Sequence, residues 1–181
     1  MTEIKNKIIV LVGMMGSGKT TVAKKLANVL NFISLDSDIE IEKNAGMSIS
    51  EIFEDFGEEH FRGIEKRIIR KILLYNSDLV LSIGGGAFSD EDIRNFIIDN
   101  SLSIWLNASF DNLCNRLLKN KKSRPLLKNN NWKRKLKNLL IERETNYKRA
   151  HLEIKVDNMN VNEVVAKIIK SINNHDKYAQ Q

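Results

Sequence analysis

The 181-residue chain is predicted to be a three-layer α/β domain, a parallel sheet with helices on both faces, and three observations predict it. Short apolar runs rich in β-branched residues alternate with longer helical patterns, the mark of successive βαβ units. The first run passes straight into a glycine-rich turn, GMMGSGKTT from Gly13, that opens a helix. The composition is that of one domain: 42% of the residues are apolar, and a chain of this size buries roughly 70% of its unfolded surface.

Strands are predicted at KIIVLV (7–12), FISLD (32–36), DLVLSI (78–83), LSIWL (102–106) and LEIKV (152–156). Such runs do not alternate polar with apolar, as fits a sheet buried on both faces. Helices are predicted near 18–30, 50–76 with a break at Gly57, 89–99, 109–118, 132–149 and 161–173. The last carries Val161, Val164, Val165, Ile168, Ile169 and Ile172 on one stripe. The helix over 109–118 contains the one cysteine, Cys114, inside the apolar pattern FDNLCNRLL. It reads as a small core residue, not a redox or metal group, and no disulfide framework is available. With no internal repeat and no Pro/Gly/Ser-rich linker, residues 1–181 are one domain, with a Lys- and Asn-rich excursion at 119–133 and a tail that frays from Asn173. The apolar run near the N-terminus is too short for a secretory or membrane-spanning segment, so the chain reads as cytoplasmic with no membrane partner.

The formal net charge of +6 raises the question of nucleic acid, but its distribution is more informative. Residues 112–141 hold ten Lys or Arg and no acid, whereas residues 36–65 hold ten acids against Lys43 and Arg62. Either block could be a solvated helix face. A basic segment over a polyphosphate is the alternative.

The turn after the first strand meets the pattern G-x-x-x-x-G-K-[ST] at Gly13, Gly18, Lys19 and Thr20. Glycines let the loop present consecutive N–H groups to phosphate oxygens, and the helix N-terminus adds partial positive charge. Lys19 can reach the β/γ-phosphates and Thr20 can ligate Mg²⁺. The acceptor is a separate question. A GTPase switch would need D-x-x-G, which is absent, and a base reader, of which Asn120-Lys121-Lys122-Ser123 lacks the aspartate. Asp55-Phe56-Gly57 imitates a protein-kinase motif, but no H-R-D loop accompanies it. No RNA-reading aromatic motif or DNA-reading helix appears. A small-molecule phosphotransferase remains.

Three further features favour that class. LDSD places Asp36 and Asp38 at the end of the second strand, where ligands gather in open α/β sheets. They could hold Mg²⁺ through water and accept a hydroxyl proton, or Ser37 with Glu40 could make a capping box that starts a helix. Gly84-Gly85-Gly86 puts three of the nine glycines at the same edge, as close approach of a ligand would require. The one proline, Pro125, stiffens Arg124 inside the basic excursion, from which the arginine could close over a transferring phosphoryl group.

Taken in order, GMMGSGKT, LDSDIEIE, FRGIE, SIGGGAF, RPLL and RETNY resemble the motifs of shikimate kinases, over residues 8 to about 147. The resemblance implies a five-stranded parallel sheet in the order 2-3-1-4-5, a lid at about 116–131 and a helical acceptor-binding region at about 36–65. It implies transfer of the γ-phosphoryl group of ATP to the 3-hydroxyl of shikimate, with Mg²⁺. ATP would be held by Gly13, Met14, Met15, Gly16, Ser17, Gly18, Lys19, Thr20 and Thr21, with Arg124 of the lid and Arg116 near the adenine. Thr20 and, through water, Asp36 match the metal-binding positions. Asp38 matches the carboxylate that binds the acceptor and is the candidate base. Arg62 and Arg143 match the arginines that grip the shikimate carboxylate, while Gly84, Gly85 and Gly86 line its pocket. The catalytic set is Lys19, Asp38 and Arg124. The segment between Arg116 and Arg124 departs from the family's lid. Met14 and Met15 stand where members commonly carry a small residue or leucine, which leaves the N–H cradle intact. The partners would be ATP and shikimate, with neither nucleic acid nor membrane, and the chain a monomer. The alternatives are a gluconate-type sugar-acid kinase and a non-catalytic nucleotide-binding regulator.

Overall fold

The computed structural model describes residues 7–75, 78–119 and 131–179. Its sheet comprises β1 (Ile8–Val12), β2 (Ile33–Asp36), β3 (Leu79–Ser82), β4 (Leu102–Asn107) and β5 (Leu152–Lys155). The strands are all parallel and stand in the order β2-β3-β1-β4-β5, as the family resemblance implies. Position in the sheet explains composition. The inner strand β1 (IIVLV) is fully buried over Ile9–Val12, whereas the edge strand β2 (ISLD) tolerates Ser34 and Asp36 on partly exposed sites.

The chain leaves β1 toward β2, then returns through β3 and continues outward to β4 and β5. Right-handed crossovers therefore place the helix after β1 on one face and those after β2, β3 and β4 on the other. α1 (Lys19–Leu30) accordingly packs against α7 (Val161–Ala179), while α3 (Ile49–Tyr75) packs against α4 (Glu91–Asn100). α1 buries Val22, Ala23, Leu26 and Ala27, and it ends where Asn31 takes a left-handed conformation and donates its N–H to the Ala27 and Asn28 carbonyls. α7 buries Val164, Val165, Ile168 and Ile172. Each such valine, leucine or isoleucine stabilises the fold by about 1.5–3 kcal/mol relative to exposure. The reversal of direction between β1 and β3 opens a crevice beyond their carboxyl ends, the usual ligand site of open α/β sheets.

Local chemistry sets several boundaries differently from the predictions. α2 (Ser37–Ala45) is a separate helix that the strand-helix reading omits. α7 continues to Ala179, so helix does not end at Asn173. The segment predicted as one helix over 89–99 is a short 3₁₀ turn (Ala87–Ser89) followed by α4, because Asp90 caps the helix by accepting the Ile93 N–H at 3.1 Å. α5 (Phe110–Lys119) and α6 (Trp132–Tyr147) flank residues 120–130, so the predicted lid, with Arg124 and Pro125, lies outside the described residues apart from its ends. Gly57 breaks α3 as predicted, with φ 81° and ψ 175° in a conformation suited to glycine. Cys114 is buried in the core, and burial pushes its thiol up.

Candidate active site

The loop between β1 and α1 is shaped by close backbone approach. At Gly13 φ is 138°, and a side-chain carbon would lie 2.8 Å from the Leu106 carbonyl oxygen, so only glycine fits. The Ser17 N–H turns back to the Met14 carbonyl at 3.1 Å, and the Gly18 carbonyl accepts the Val22 N–H as α1 begins. The first-turn amides of α1 then face the crevice with the positive end of the helix dipole. Lys19 is 9% exposed, and its Nζ donates to the Gly13 and Met14 carbonyls at 2.8 and 3.0 Å. Met14 is buried in the core and Met15 is half-buried, so the two methionines support the loop from below. Thr21 is exposed on the first turn of α1.

Thr20 and Asp36 meet from adjacent segments: Thr20 Oγ1 donates to Asp36 Oδ2 at 2.8 Å. Asp36 Oδ1 accepts the Asp38 N–H at 3.1 Å, which makes Asp36 the N-cap of α2. The predicted Ser37–Glu40 capping box does not form. Ser37 is fully buried, and its Oγ instead accepts the Gly84 N–H at 3.1 Å, tying the end of β2 to the turn after β3. Glu40 pairs with Lys43 at 2.7 Å. A cavity of about 140 Å³ opens beside Thr20 and Asp36, with Lys24, Glu40 and Lys43 among its walls.

Residues from three helices converge on Gly84, Gly85 and Gly86. A side-chain carbon at Gly84 would lie 3.0 Å from Asp38 Oδ1 and 2.9 Å from Glu65 Oε1. One at Gly86 would lie 2.7 Å from Arg62 Nη2, and one at Gly85 would lie 3.6 Å from Arg143 Nη1 and 3.4 Å from both the Gly13 oxygen and the Met15 nitrogen. The triglycine turn is therefore the meeting point of Asp38 on α2, Arg62 on α3, Arg143 on α6 and the phosphate-type loop after β1.

The electrostatics are those of a partly desolvated mixed-charge cluster. Burial, and next the Asp36 charge, push the Asp38 carboxyl above the usual range, with Lys19 opposing. Glu65 is 2% exposed, and its carboxyl is raised by burial and opposed by Arg62, whose Nη1 donates to Glu65 Oε2 at 2.6 Å. Glu65 Oε1 and Arg143 Nε are buried without a hydrogen-bond partner among the described residues. Such atoms cost stability unless a ligand or water satisfies them. Tyr147 is fully buried, stacks on Trp105 at 5.9 Å between centroids, and donates its hydroxyl to the Gly85 carbonyl. Burial pushes its hydroxyl up to about 12, against the influence of Arg143. Glu144, beside Arg143 in sequence, pairs with Lys148 at 2.8 Å.

The sequence-predicted residues fall into three groups. Gly13 to Thr21, Asp36, Asp38, Arg62, Gly84 to Gly86 and Arg143 come together. Arg116 stands at the loop but is engaged below it, donating from Nη1 to the Ser17 carbonyl at 2.9 Å and from Nη2 to the Val156 carbonyl at 3.2 Å. Arg124 lies outside the described residues. The sequence assigns no role to Glu65 or Tyr147, and to Ser37 only that of a helix cap. Helical spacing could have found the first two, since Glu65 is i+3 from Arg62 and Tyr147 is i+4 from Arg143.

Among proteins of known function, the chain matches the sequence model described as shikimate kinase over residues 15–173. It is 39% identical over 175 residues to a shikimate kinase of Bartonella henselae, an alignment spanning 97% of this chain and 82% of the relative. It superposes with a TM-score of 0.87 on the structure of a shikimate kinase from Acinetobacter baumannii in complex with shikimate, at 36% identity and 94% coverage of both chains. A gluconokinase from Sinorhizobium meliloti superposes with a TM-score of 0.61 at 14% identity, over 97% of this chain and 98% of that one, a likeness of fold alone.

Proposed function

The chain belongs to the shikimate kinase family and is an ATP-dependent phosphotransferase, and from that premise we propose how its own residues share the reaction. The acceptor is shikimate. Its 3-hydroxyl oxygen forms a bond to the γ-phosphorus of ATP, the bond from that phosphorus to the β,γ-bridging oxygen breaks, and the hydroxyl proton passes toward Asp38 as ADP departs. The observation that carries this reading is the convergence of Asp38, Arg62 and Arg143 on a triglycine turn that touches Gly13 and Met15. An acid-binding pocket thus abuts a triphosphate-binding loop.

The amides of Gly13 to Thr21 receive the phosphates, and Lys19, already held within that loop, supplies a fixed cation. Thr20 and Asp36 fit a hard divalent cation, because both donors are oxygen and the adjoining cavity has room for water. No group of three His, Cys, Asp or Glu able to hold a metal occurs among the described residues. The ion would therefore be shared with substrate phosphates. Mg²⁺ bound there would neutralise charge across the β- and γ-phosphates. Asp38 orients the acceptor hydroxyl, and its raised proton affinity suits it to take the proton, although phosphoryl transfer rests mainly on positioning.

Arg62 and Arg143 hold the acceptor carboxylate from two helices, Glu65 fixes Arg62, and Tyr147 fixes the Gly85 carbonyl beside Arg143. Arg124 is assigned to the transferring phosphoryl group and Arg116 to the neighbourhood of the adenine. No described helix is long and apolar enough to cross a membrane. We read the enzyme as a cytoplasmic monomer acting on small molecules, since one chain furnishes both half-sites and no nucleic-acid reading motif accompanies its basic segment.

A coupled ADP-release assay tests the assignment. Shikimate should be used far better than gluconate or any nucleoside monophosphate, and equal use of gluconate would overturn it. Arg143→Ala should lower kcat/KM for shikimate by roughly tens to thousands of fold, the range for truncating a desolvated charge pair. Shikimate methyl ester should be affected much less. Calorimetry showing wild-type affinity for shikimate in this variant would contradict the carboxylate role.

A further inference from the structure

Arg62 carries two carboxylates in this structure, and they differ in a way that bears on acceptor recognition. Nη1 donates to Glu65 Oε2 at 2.6 Å, and Nη2 donates to Glu58 Oε1 at 3.1 Å. The Glu65 side chain is 3% exposed, whereas that of Glu58 is 67% exposed. Glu65 is a permanent partner, fixed by the core. Glu58 keeps most of its hydration and loses little by leaving. The guanidinium also packs on the Phe61 ring, whose centroid is 5.1 Å from its Cζ, and against Gly86, leaving the Arg62 side chain 28% exposed.

The backbone also permits Glu58 to move. Glu58 directly follows Gly57, whose non-helical φ and ψ interrupt α3. It is therefore the first residue of the second helical segment, where the N–H groups have no intrahelical acceptor to lose. As the first residue of that segment, Glu58 can swing its carboxylate away from Arg62 by side-chain rotation or by fraying, without breaking an intrahelical N–H bond.

We propose that Glu58 is an internal competitor for the acceptor carboxylate: it occupies Arg62 Nη2, and an acidic acceptor binds by exchanging with it. This rests on the reading that Arg62 grips that carboxylate, and it adds a specificity device. An acceptor without a carboxylate cannot make the exchange, so Arg62 stays neutralised by its own helix and offers such a molecule nothing. An acidic acceptor replaces one ion pair with a better enclosed one, at the cost of releasing Glu58 to water.

The competing idea is that Glu58 aligns Arg62, and the two ideas predict opposite signs. If Glu58 competes, Glu58→Gln and Glu58→Ala should tighten shikimate binding by about twofold, the worth of an exposed i,i+4 pair. Calorimetric Kd values for ATP and for shikimate methyl ester should stay unchanged in both variants. Because Glu58 is exposed, neither substitution threatens the fold. Arg62→Ala and the Arg62→Ala/Glu58→Ala double variant complete the cycle. The double variant should bind shikimate no more tightly than Arg62→Ala alone. Unchanged or weakened shikimate binding in Glu58→Gln, with Arg62→Ala clearly weakened, overturns the competitor role and leaves the carboxylate grip standing. Wild-type affinity in Arg62→Ala overturns the grip itself.

Discussion

Gly86→Ala should damage acceptor recognition while sparing the fold. Gly86 has ordinary φ and ψ of −94° and −21°, so alanine meets no backbone strain there. Its methyl carbon would lie 2.7 Å from Arg62 Nη2, 3.0 Å from Nη1 and 3.1 Å from Cζ, whereas ordinary contact begins at 3.4 Å. The guanidinium must therefore retreat by about 0.7 Å. The obstacle is the tip of a flexible side chain, so the stability at risk is mainly that of the 2.6 Å hydrogen bond to Glu65, with a small addition from the exposed pair with Glu58. A hydrogen bond to a charged group contributes about 1.5–3 kcal/mol, and partial loss should lower Tm by only a few degrees. Catalysis is less forgiving, since a misplacement of about 1 Å can cost 10²-fold. We expect kcat/KM for shikimate to fall by about 10–100-fold in a coupled ADP-release assay, with a smaller loss for the methyl ester. An unchanged value for shikimate, or equal losses for acid and ester, would refute the placement of Arg62 against this turn.

Three other perturbations report on different parts of the molecule. Chelation by EDTA should abolish turnover, and Asp36→Ala should raise the half-saturating Mg²⁺ concentration by about 10–100-fold, as loss of an outer ligand-orienting group does. Because Asp36 also caps α2, the same variant should lose about 1 kcal/mol of stability by thermal melting, and an unaltered Mg²⁺ requirement would remove it from the metal site. Far from the site, His151 Nδ1 accepts the Ser103 N–H at 3.2 Å, and burial, then the nearby His175, hold its proton affinity below the ordinary histidine value. The unfolded chain thus takes up this proton first as pH falls below about 6.5. Stability should decline from there until the folded imidazole is also protonated, and a Tm–pH curve for His151→Gln that still matches the wild type between pH 7.5 and 5 would contradict this.

Much of the scaffold is legible in the sequence because its causes are local. The IIVLV run, the glycine turn that follows it and the apolar stripe of α7 each state their own conformation through periodicity or steric need. The site is legible in part. Asp38, Arg62 and Arg143 are signalled by motifs but not by physics readable along the chain, since their meeting point is a turn formed after β3. Ser37 shows why. Beside Asp36 and before Glu40 it has every local mark of a helix cap, yet its hydroxyl serves Gly84, 47 residues away. Tertiary hydrogen bonding overrides the local alternative. Glu65 and Tyr147 escape notice for the same reason: an acid and an aromatic on charged helices look solvated until the helices pack and bury them. The Gly57 break, by contrast, is readable, because no packing is needed to make glycine interrupt a helix.

The pairing of β1 with β3 has a consequence for how the two substrates are brought face to face. Leu11 stands opposite Ser82, and shortly beyond that rung each strand hands the chain to a glycine turn, one assigned to the donor and the other to the acceptor in the function proposed above. Neighbouring strands lie about 4.8 Å apart. The span between donor and acceptor is thus gauged by backbone hydrogen bonds inside the sheet, much as the jaws of a caliper are gauged by its bar. Side chains decide which molecules sit in each jaw, but the gap belongs to the bar. Chemistry at the acceptor end can be rewritten helix by helix without recalibrating the instrument.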